Sequence, residues 1–559
     1  MNPGQQITFT RWMHAGTPWI WINAAAVSAS LLLLGGLLTL ITVRGMAHFW
    51  PASVYEFILE DDEGQPYRLV GQIRETEKVP VAQLGDRADS HDLAGSEITR
   101  LLIKTGNRDV TGQDFRWIRA SRIRQQKAPV SMTLFEREEW GVFFGQIVGL
   151  KKDGELLTTR DAWADLQAMW SHTEALRAEI NALERAEIGR INYQLERLRL
   201  RGRQLQLDGV TERTPFEAIE VERQALEQDY KKLEERVIAL YAEARRDAVV
   251  VRTGTDAASD RDLPLFNITR FWRPNAMNVW QRTGHFFKKL WTFIVDEPRE
   301  ANTEGGIYPA IFGTILMVLL MTVFVAPFGV VAGVYLKEYA KQGVLTRTIR
   351  IAVNNLAGVP SIVYGVFGLG FFVYTLGGSI DSLFYQAALP APTFGTGGLM
   401  WASLTLALLT LPVVIVSTEE GLARIPRAIR EGSLALGATQ WETLWRTIVP
   451  MASPGIMTGL ILAVARAAGE VAPLMLVGVV KLAPTLPLDG NFPFLHLERK
   501  FMHLGFHIYD VGFQSPNVEA ARPLVYATAF LLVVVILLLN IVAIHVRNGL
   551  REKYKGLET

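Results

Sequence analysis

The 559-residue sequence contains no cysteine. Disulfide bonds, thiolate zinc sites, iron–sulfur clusters and cysteine nucleophiles are therefore excluded. Net charge is also nearly absent, because 57 basic residues are balanced by 56 acidic residues. A general nucleic-acid binder normally carries a basic domain, so a nucleic-acid partner is not expected. The phosphate-binding loop G-x-x-x-x-G-K-[ST] is missing, and no Gly-Lys pair occurs. We therefore expect no ATPase activity in this chain, and we expect no cofactor.

Apolar residues, by contrast, are abundant. Hydrophobic residues make up 49% of the chain, and the mean hydropathy is +0.17. The 14 tryptophans and 27 phenylalanines exclude intrinsic disorder. This composition indicates a membrane protein with a sizeable water-exposed part.

Six stretches are apolar enough to cross a bilayer, which takes about 20 residues. They are Pro18–Val43, Tyr308–Leu336, Ile351–Leu376, Leu399–Val416, Pro454–Val480 and Leu524–Val546. The first is too long for a signal peptide and lacks a cleavage site, so we interpret it as a retained anchor. Residues 18–43 are thus the first span, and residues 308–546 hold the other five.

Basic residues cluster at one end of the spans. The three clusters are Lys337, Lys341, Arg347 and Arg350, then Arg424, Arg427, Arg430 and Arg446, then Arg547, Arg551, Lys553 and Lys555. Positive charge marks the cytoplasmic side, and Arg11 falls on that side as well. We therefore expect a cytoplasmic N-terminus (1–17), a cytoplasmic tail (547–559) and a periplasmic insert (44–307) in a bacterial inner membrane.

The insert has two parts that differ in residue composition and in the spacing of apolar residues. Residues 50–157 contain short runs rich in aromatic and β-branched residues, which predicts a small β domain. Residues 161–247 are densely charged and carry apolar residues at three- and four-residue steps, among them Leu176, Ile180 and Ile191 in one half and Val237, Leu240 and Ala244 in the other. This spacing predicts an antiparallel coiled-coil hairpin, with a stutter near Glu187–Gly189 and a tip at Asp208–Pro215 that projects far from the membrane. Residues 248–307 are interpreted as a return linker.

The hairpin has two interpretations. It is either a solvated spacer or a docking arm for a periplasmic partner or a second copy of the chain. The sequence leaves both open.

The loop at 417–453 contains an amphipathic segment, Glu431–Pro450, with the sequence EGSLALGATQWETLWRTIVP. Gly437 can supply a tight turn between two short helices. Trp441 and its apolar neighbours offer a surface that an intracellular protein can grip, and Pro450 is expected to close the segment. The stretch resembles the loop by which permeases of ATP-binding-cassette (ABC) importers engage their ATPases. Glu431, Gly437 and Pro450 match that pattern in spacing, whereas Gly432 and Ser433 replace its two alanines and Thr447 replaces an isoleucine.

Three further segments indicate a particular family among these permeases: Asn354–Gly370, Ser417–Thr439 and Ile461–Leu476. They are similar to the A-type permease subunit of phosphate-specific importers, the PstA family, whose short forms lack the 44–307 insert. The resemblance implies an all-helical type I ABC importer permease fold and half of an alternating-access pathway for inorganic phosphate. It also implies a homologous C-type permease, a cytoplasmic ATPase dimer and a periplasmic phosphate-binding protein as partners, with ATP hydrolysed in trans.

Two charges interrupt the fifth predicted span. Arg466 lies near its centre, where an arginine costs about 2.5–3.5 kcal/mol on insertion scales. Glu470 follows four residues later, on the same face of a helix. We interpret the pair as part of the anion pathway, because the planar guanidinium suits bidentate phosphate contacts. A structural ion pair is the alternative.

The residues alone do not exclude other functions. One Arg–Glu pair does not distinguish phosphate from sulfate, molybdate or phosphonate. A membrane scaffold or sensor that recruits periplasmic partners is a further alternative. His503, His507 and Asp510 have helical spacing, but they lie in a loop where such residues commonly mix, and no metal site is expected.

Overall fold

The computed structural model describes residues 16–61, 64–80, 97–158, 160–253, 260–515 and 518–554. Within them, six helices are long and apolar enough to cross a membrane: Pro18–Ala47, Tyr308–Tyr339, Ser361–Phe384, Leu399–Ala423, Gln440–Gly469 and Ala521–Glu552. The chain is a multi-pass helical membrane protein, as predicted. Arg11 and Lys555, which entered the orientation argument, lie outside the described residues.

The first helix, α1 (Thr17–Ala47), is apolar on all sides. None of its most apolar window is buried inside the protein, as expected for a helix that faces lipid. Near its end, Gly45 approaches the last membrane helix. A Cβ atom at Gly45 would lie 2.8 Å from the carbonyl oxygen of Tyr526, so only glycine fits this crossing.

The insert contains two antiparallel sheets. The first has the strand order β4-β3-β2-β1-β5. Its strands are β1 (Tyr55–Glu60), β2 (Pro66–Pro80), β3 (Glu97–Lys104), β4 (Phe115–Arg119) and β5 (Ile123–Lys127), and the short helix α2 (Arg108–Thr111) precedes β4. Alternate residues such as Phe57 and Leu59 are fully buried, because successive side chains of a strand point to opposite faces.

The second sheet has the order β10-β9-β7-β6-β11, and β8 pairs with β7. Its strands are β6 (Met132–Arg137), β7 (Val142–Lys152), β8 (Glu155–Leu157), β9 (Ala248–Arg252), β10 (Asp260–Pro264) and β11 (Ile268–Trp272). Three of them follow the helical hairpin in the chain. The interpretation of residues 248–307 as a linker was therefore wrong, because its first part completes this sheet. Phe143 of β7 and Val249 and Val251 of β9 share one buried core.

The helical hairpin is inserted between β8 and β9. It consists of α3 (Ala162–Ala182), α4 (Gly189–Leu207) and α5 (Thr214–Ala244). A π-helical turn, Leu183–Ile188, joins α3 to α4 at the position of the predicted stutter. The arms run antiparallel, since Leu176 and Ile180 pack with Leu240 and Ala244.

The first arm of the hairpin is docked on loops of the membrane domain. The hydroxyl group of Tyr193 in α4 donates a hydrogen bond to the carbonyl oxygen of Phe492. The same ring meets His496 edge-on at 6.2 Å, and α4 also contacts the turn Gln386–Ala388. These contacts with the membrane domain were not predicted, and the first arm rests on it. The outward projection of the tip at Asp208–Pro215 stays a prediction.

An amphipathic helix, α6 (Val279–Val295), leads back to the membrane. Trp280, Phe287 and Trp291 are exposed on one side of it, and they are spaced at seven and four residues, as one helix face requires. The short strands β12 (Pro298–Arg299) and β13 (Glu304–Gly305) follow.

The remaining helices form the membrane domain. They are α7 (Tyr308–Val334), α8 (Val344–Leu356), α9 (Ser361–Phe367), α10 (Gly378–Phe384), α11 (Leu399–Ala423), α12 (Arg427–Ala435), α13 (Gln440–Thr443), α14 (Val449–Gly469), α15 (Ala472–Val477), α16 (Leu504–Tyr509) and α17 (Val518–Tyr554). Helix α11 is the centre of the bundle, because 67% of its apolar window is buried and it packs on both α7 and α14.

The third span begins later than predicted. Residues from Ile351 to Leu356 belong to the separate amphipathic helix α8, and the span starts at Ser361. Pro360 stands just before it in an extended conformation. Proline disfavours helical geometry in the residue that precedes it, so the helix cannot run through this point.

Candidate translocation and coupling sites

The fifth membrane helix is broken beside its two charges. Helix α14 ends at Gly469, Glu470 is extended (φ −79°, ψ 134°), and α15 begins at Ala472. Pro473 explains the break, because its ring would clash with the carbonyl group four residues earlier, that of Gly469. The predicted continuous span from Pro454 to Val480 was therefore wrong. Arg466 lies in the last turn of α14, not at the middle of a helix.

The break changes the relation between Arg466 and Glu470. Glu470 is not one turn further along a helix but lies just beyond its end. The Arg466 Nε and Glu470 Oε1 atoms are 3.6 Å apart, which is an ion pair longer than a hydrogen bond. The negative end of the α14 dipole also favours a cation in this turn. The Arg466 side chain keeps 34% of its surface accessible, so the guanidinium can contact a further anion.

A neighbouring helix fixes the broken segment in place. Helix α9 packs on α15, and a Cβ atom at Gly365 would lie 2.7 Å from the Cα atom of Pro473. Glycine is thus required at 365 for this close contact. Because Pro473 follows Glu470 by three residues, the contact positions the carboxylate next to Arg466.

The segment Glu431–Pro450 forms a helix–turn–helix. Helix α12 ends at Ala435, and α13 starts at Gln440. Gly437 stands between them with φ of +87°, in the left-handed region that favours glycine. The Gly437 amide donates to the Leu434 carbonyl and the Ala438 amide to the Ser433 carbonyl, the two bonds of a Schellman motif. The turn expected at Gly437 is present.

This turn presents apolar side chains to solvent. Leu436 is 91% exposed and Trp441 is 62% exposed, and the Trp441 and Trp445 rings lie 5.2 Å apart. Glu431 is also exposed, on α12. Exposed apolar side chains clustered at a turn and at the first residues of the fifth candidate span are suited to contact with another protein.

Two features of this segment differ from the sequence interpretation or were missed by it. Pro450 does not close the segment; it is the second residue of α14, which follows the π-helical turn Leu444–Ile448 and continues to Gly469. A π turn accommodates a proline that cannot donate its own backbone hydrogen bond. A capping box was missed: the Thr439 side chain accepts from the Glu442 amide and Glu442 accepts from the Thr439 amide. Its T-x-x-E spacing is visible in the sequence.

Two ion pairs lie near this segment, and one of them joins α12 to the segment that follows α7. Arg430 of α12 donates to Glu338, with an Nη2–Oε1 distance of 2.9 Å, and to the carbonyl oxygens of Ile425 and Leu422. Arg350 of α8 pairs with Glu419 of α11 at 3.2 Å. The Arg430 pair therefore fastens α12 to the π-helical turn Tyr335–Tyr339, which directly follows α7.

Two of the three residues considered for a metal have partners of their own, whereas the ring nitrogens of His507 make no hydrogen bond within the described part of the chain. His503 accepts a hydrogen bond from the Gly505 amide as the cap of α16, and burial lowers its pKa to about 3. Burial also lowers the pKa of His507 to about 4. Asp510 pairs with Lys481 at 3.2 Å and accepts from Asn302. Within the described residues no group of three such side chains could hold a metal ion.

Comparison with known proteins agrees with this architecture. Residues 325–552 match the family described as binding-protein-dependent transport system inner membrane component. The chain is therefore an ABC importer permease by class. It is 34% identical over 261 residues to the phosphate transport system permease protein PstA 1 of Mycobacterium tuberculosis (strain CDC 1551 / Oshkosh), covering 46% of this chain and 75% of the relative. The chain belongs to the PstA family of permeases.

Other relatives extend the comparison. PstA of Yersinia pestis is 34% identical over 254 residues, 45% of this chain and 76% of that protein. PstA of Mycobacterium leprae is 37% identical over 208 residues, 37% of this chain, and the chain spans 62% of that relative's length. Among solved structures, the inward-facing MetNI methionine ABC transporter aligns at 19% identity over 44% of this chain and 97% of that chain, with a TM-score of 0.32.

Proposed function

We propose that this chain is one permease subunit of an ATP-driven importer of inorganic phosphate. It forms half of the translocation pathway in a bacterial inner membrane, with both termini cytoplasmic and the 44–307 insert in the periplasm. Family membership supports the importer class, and the single observation that carries the pathway is the helix break at Gly469–Pro473. That break leaves a partly accessible arginine among membrane helices.

Arg466 is the proposed phosphate contact. In the resting state its charge is balanced by Glu470 through a 3.6 Å pair. An arriving phosphate offers two oxygens to the planar guanidinium, which makes a stronger, charge-assisted contact. Loss of phosphate restores the pair with Glu470, so the site alternates between two partners without leaving a charge unpaired.

The exposed turn around Gly437 is the proposed contact with the ATPase. ATP binding and hydrolysis in the partner ATPase dimer move Leu436 and Trp441, and Arg430 carries that movement to Glu338 in the π-helical turn after α7. This coupling rocks the membrane helices between inward- and outward-open forms. The other partners are a homologous C-type permease and a periplasmic phosphate-binding protein.

Replacement of Arg466 tests the proposed pathway. The complex is reconstituted in liposomes, and ATP-dependent uptake of radiolabelled phosphate is measured for the wild type, Arg466→Gln and Arg466→Lys. We expect Arg466→Gln to reduce uptake at least tenfold and Arg466→Lys to restore part of it, since lysine offers a point charge instead of a fork.

The matched control is Arg424→Gln, an exposed arginine at the end of α11. Assembly with the ATPase and the second permease should be unchanged in all variants. Wild-type uptake by a correctly assembled Arg466→Gln complex would make Arg466 a structural residue and remove it from the pathway.

A further inference from the structure

A water-accessible cavity of about 120 Å³ lies where the insert meets the membrane helices. That is several times the roughly 10–15 Å³ that a single water requires. Its lining includes His48 and Trp50, directly after the first span, and Leu524 at the start of the last one. The sheets and helix α6 supply the other walls. The cavity therefore opens at the membrane boundary, on the side that carries the insert.

Among the charged side chains of the lining, cations outnumber carboxylates. Five of them face two carboxylates, Glu136 and Glu304, and five minus two leaves an excess of three positive charges. The five are Arg74, Lys104, Arg270, Lys289 and Arg299. Asp296, which pairs with Arg270, offsets one more charge from just outside the lining.

The existing pairs leave much of this charge unsatisfied. The Lys104–Glu304 and Lys289–Glu136 pairs are long, at 3.5 and 3.7 Å. Arg74 donates to the amide oxygen of Gln72 at 3.0 Å. Across the described ranges, no carboxylate oxygen lies within 4 Å of the guanidinium of Arg74 or of Arg299.

The surrounding protein makes the excess charge costly. Burial lowers the pKa of Arg74 and of Lys289 from their ordinary values. Burial also raises the pKa of Glu304, which weakens it as a counter-charge. A bound anion would relieve this imbalance directly.

We propose that this cavity binds a phosphate group, held by Arg74 and Arg299 with Lys104 and Lys289 as flanking cations. Two planar guanidinium groups and two ammonium groups around one space are the donor set that phosphate oxygens match best. The group can come from free orthophosphate or from the headgroup of an anionic phospholipid. Trp280, Phe287 and Trp291 on the exposed face of α6 would place lipid headgroups next to the opening. The site does not depend on what the membrane helices transport.

Two binding measurements on the purified full-length chain distinguish the sources. The first is equilibrium dialysis with radiolabelled orthophosphate after delipidation, in an Arg466→Gln background so that the proposed pathway does not contribute. The second is native mass spectrometry from nanodiscs of phosphatidylcholine with or without phosphatidylglycerol. Each compares the parent chain with the double variant Arg74→Gln/Arg299→Gln. The matched control is Arg199→Gln, an exposed arginine of the hairpin paired with Glu196.

Saturable orthophosphate binding that weakens at least tenfold in the double variant, but not in the control, supports a free phosphate ligand. Retention of phosphatidylglycerol by the wild type and its loss from the double variant supports a headgroup. If the double variant does not insert, Arg299→Gln alone, on the short strand β12, is used. Equal binding of both ligands by the parent and the variants, or binding of neither, overturns the proposal.

Discussion

Replacement of Gly437 gives a graded test of the coupling turn. The residue has φ of +87°, and a Cβ atom there would meet nothing within 4 Å. The cost of a side chain therefore comes from the backbone alone, about 1–2 kcal/mol for an ordinary L-residue. That energy reduces the population of the bent turn by roughly five- to thirtyfold. Asparagine tolerates this conformation, alanine does not, and β-branched valine is the least compatible.

The three variants are Gly437→Asn, Gly437→Ala and Gly437→Val, and we expect all three to insert into the membrane. ATP-driven phosphate uptake should decrease in that order, and Gly437→Val should abolish it. Gly432→Val is the matched control, because Gly432 also has open space around it but no positive φ. The measurement is uptake by the reconstituted complex, together with the amount of ATPase that co-purifies. The reasoning is refuted if Gly437→Val transports normally, or if the same change at Gly432 and at Gly437 has the same effect.

Three further predictions concern other contacts. Arg430→Gln should lower uptake and destabilise the complex by about 1.5–3 kcal/mol, because a charged hydrogen-bond donor is lost. Arg427→Gln in the same helix should do neither. Equal effects of the two changes would contradict the proposed coupling through Arg430 and Glu338. Tyr193→Phe should increase hydrogen exchange in the hairpin without affecting insertion, and unchanged exchange would mean that its bond to Phe492 does not hold the arm. The pKa of His503 is lowered from 6.5 to about 3, so the unfolded chain binds a proton that the folded chain does not, and stability should fall as the pH drops from about 6.5 toward 3. In His503→Asn, which keeps a capping oxygen, thermal unfolding measured across this range should depend less steeply on pH, and an unchanged slope would contradict the assignment.

Apolar composition was enough to locate the spans but not their ends. The stretch around Gly469–Pro473 is apolar apart from Glu470, so hydropathy alone extended the helix to Val480. The signal that it ends earlier was in the sequence, as a glycine followed four residues later by a proline. The same holds at Pro360, where an amphipathic helix and a span were joined into one.

Contacts between residues that are far apart in the sequence account for the other differences between the predicted and the observed fold. The strand Ala248–Arg252 pairs Val251 with Ile147, across the whole hairpin, and no local pattern reveals such a partner. The pair between Arg430 and Glu338 likewise joins residues 92 positions apart. By contrast, the turn at Gly437 depends on local backbone preference, and for that reason it was predictable from the sequence.

The central claim is phosphate import by a complex that contains this chain. The most direct measurement is ATP-dependent uptake of radiolabelled phosphate by liposomes that hold this chain, the second permease, the ATPase dimer and the binding protein, with sulfate, molybdate and a phosphonate as competitors. The account predicts uptake that requires ATP and is displaced by unlabelled phosphate but not by equal concentrations of the other anions. Uptake that another oxyanion displaces better than phosphate, or no uptake by a fully assembled complex, would contradict it.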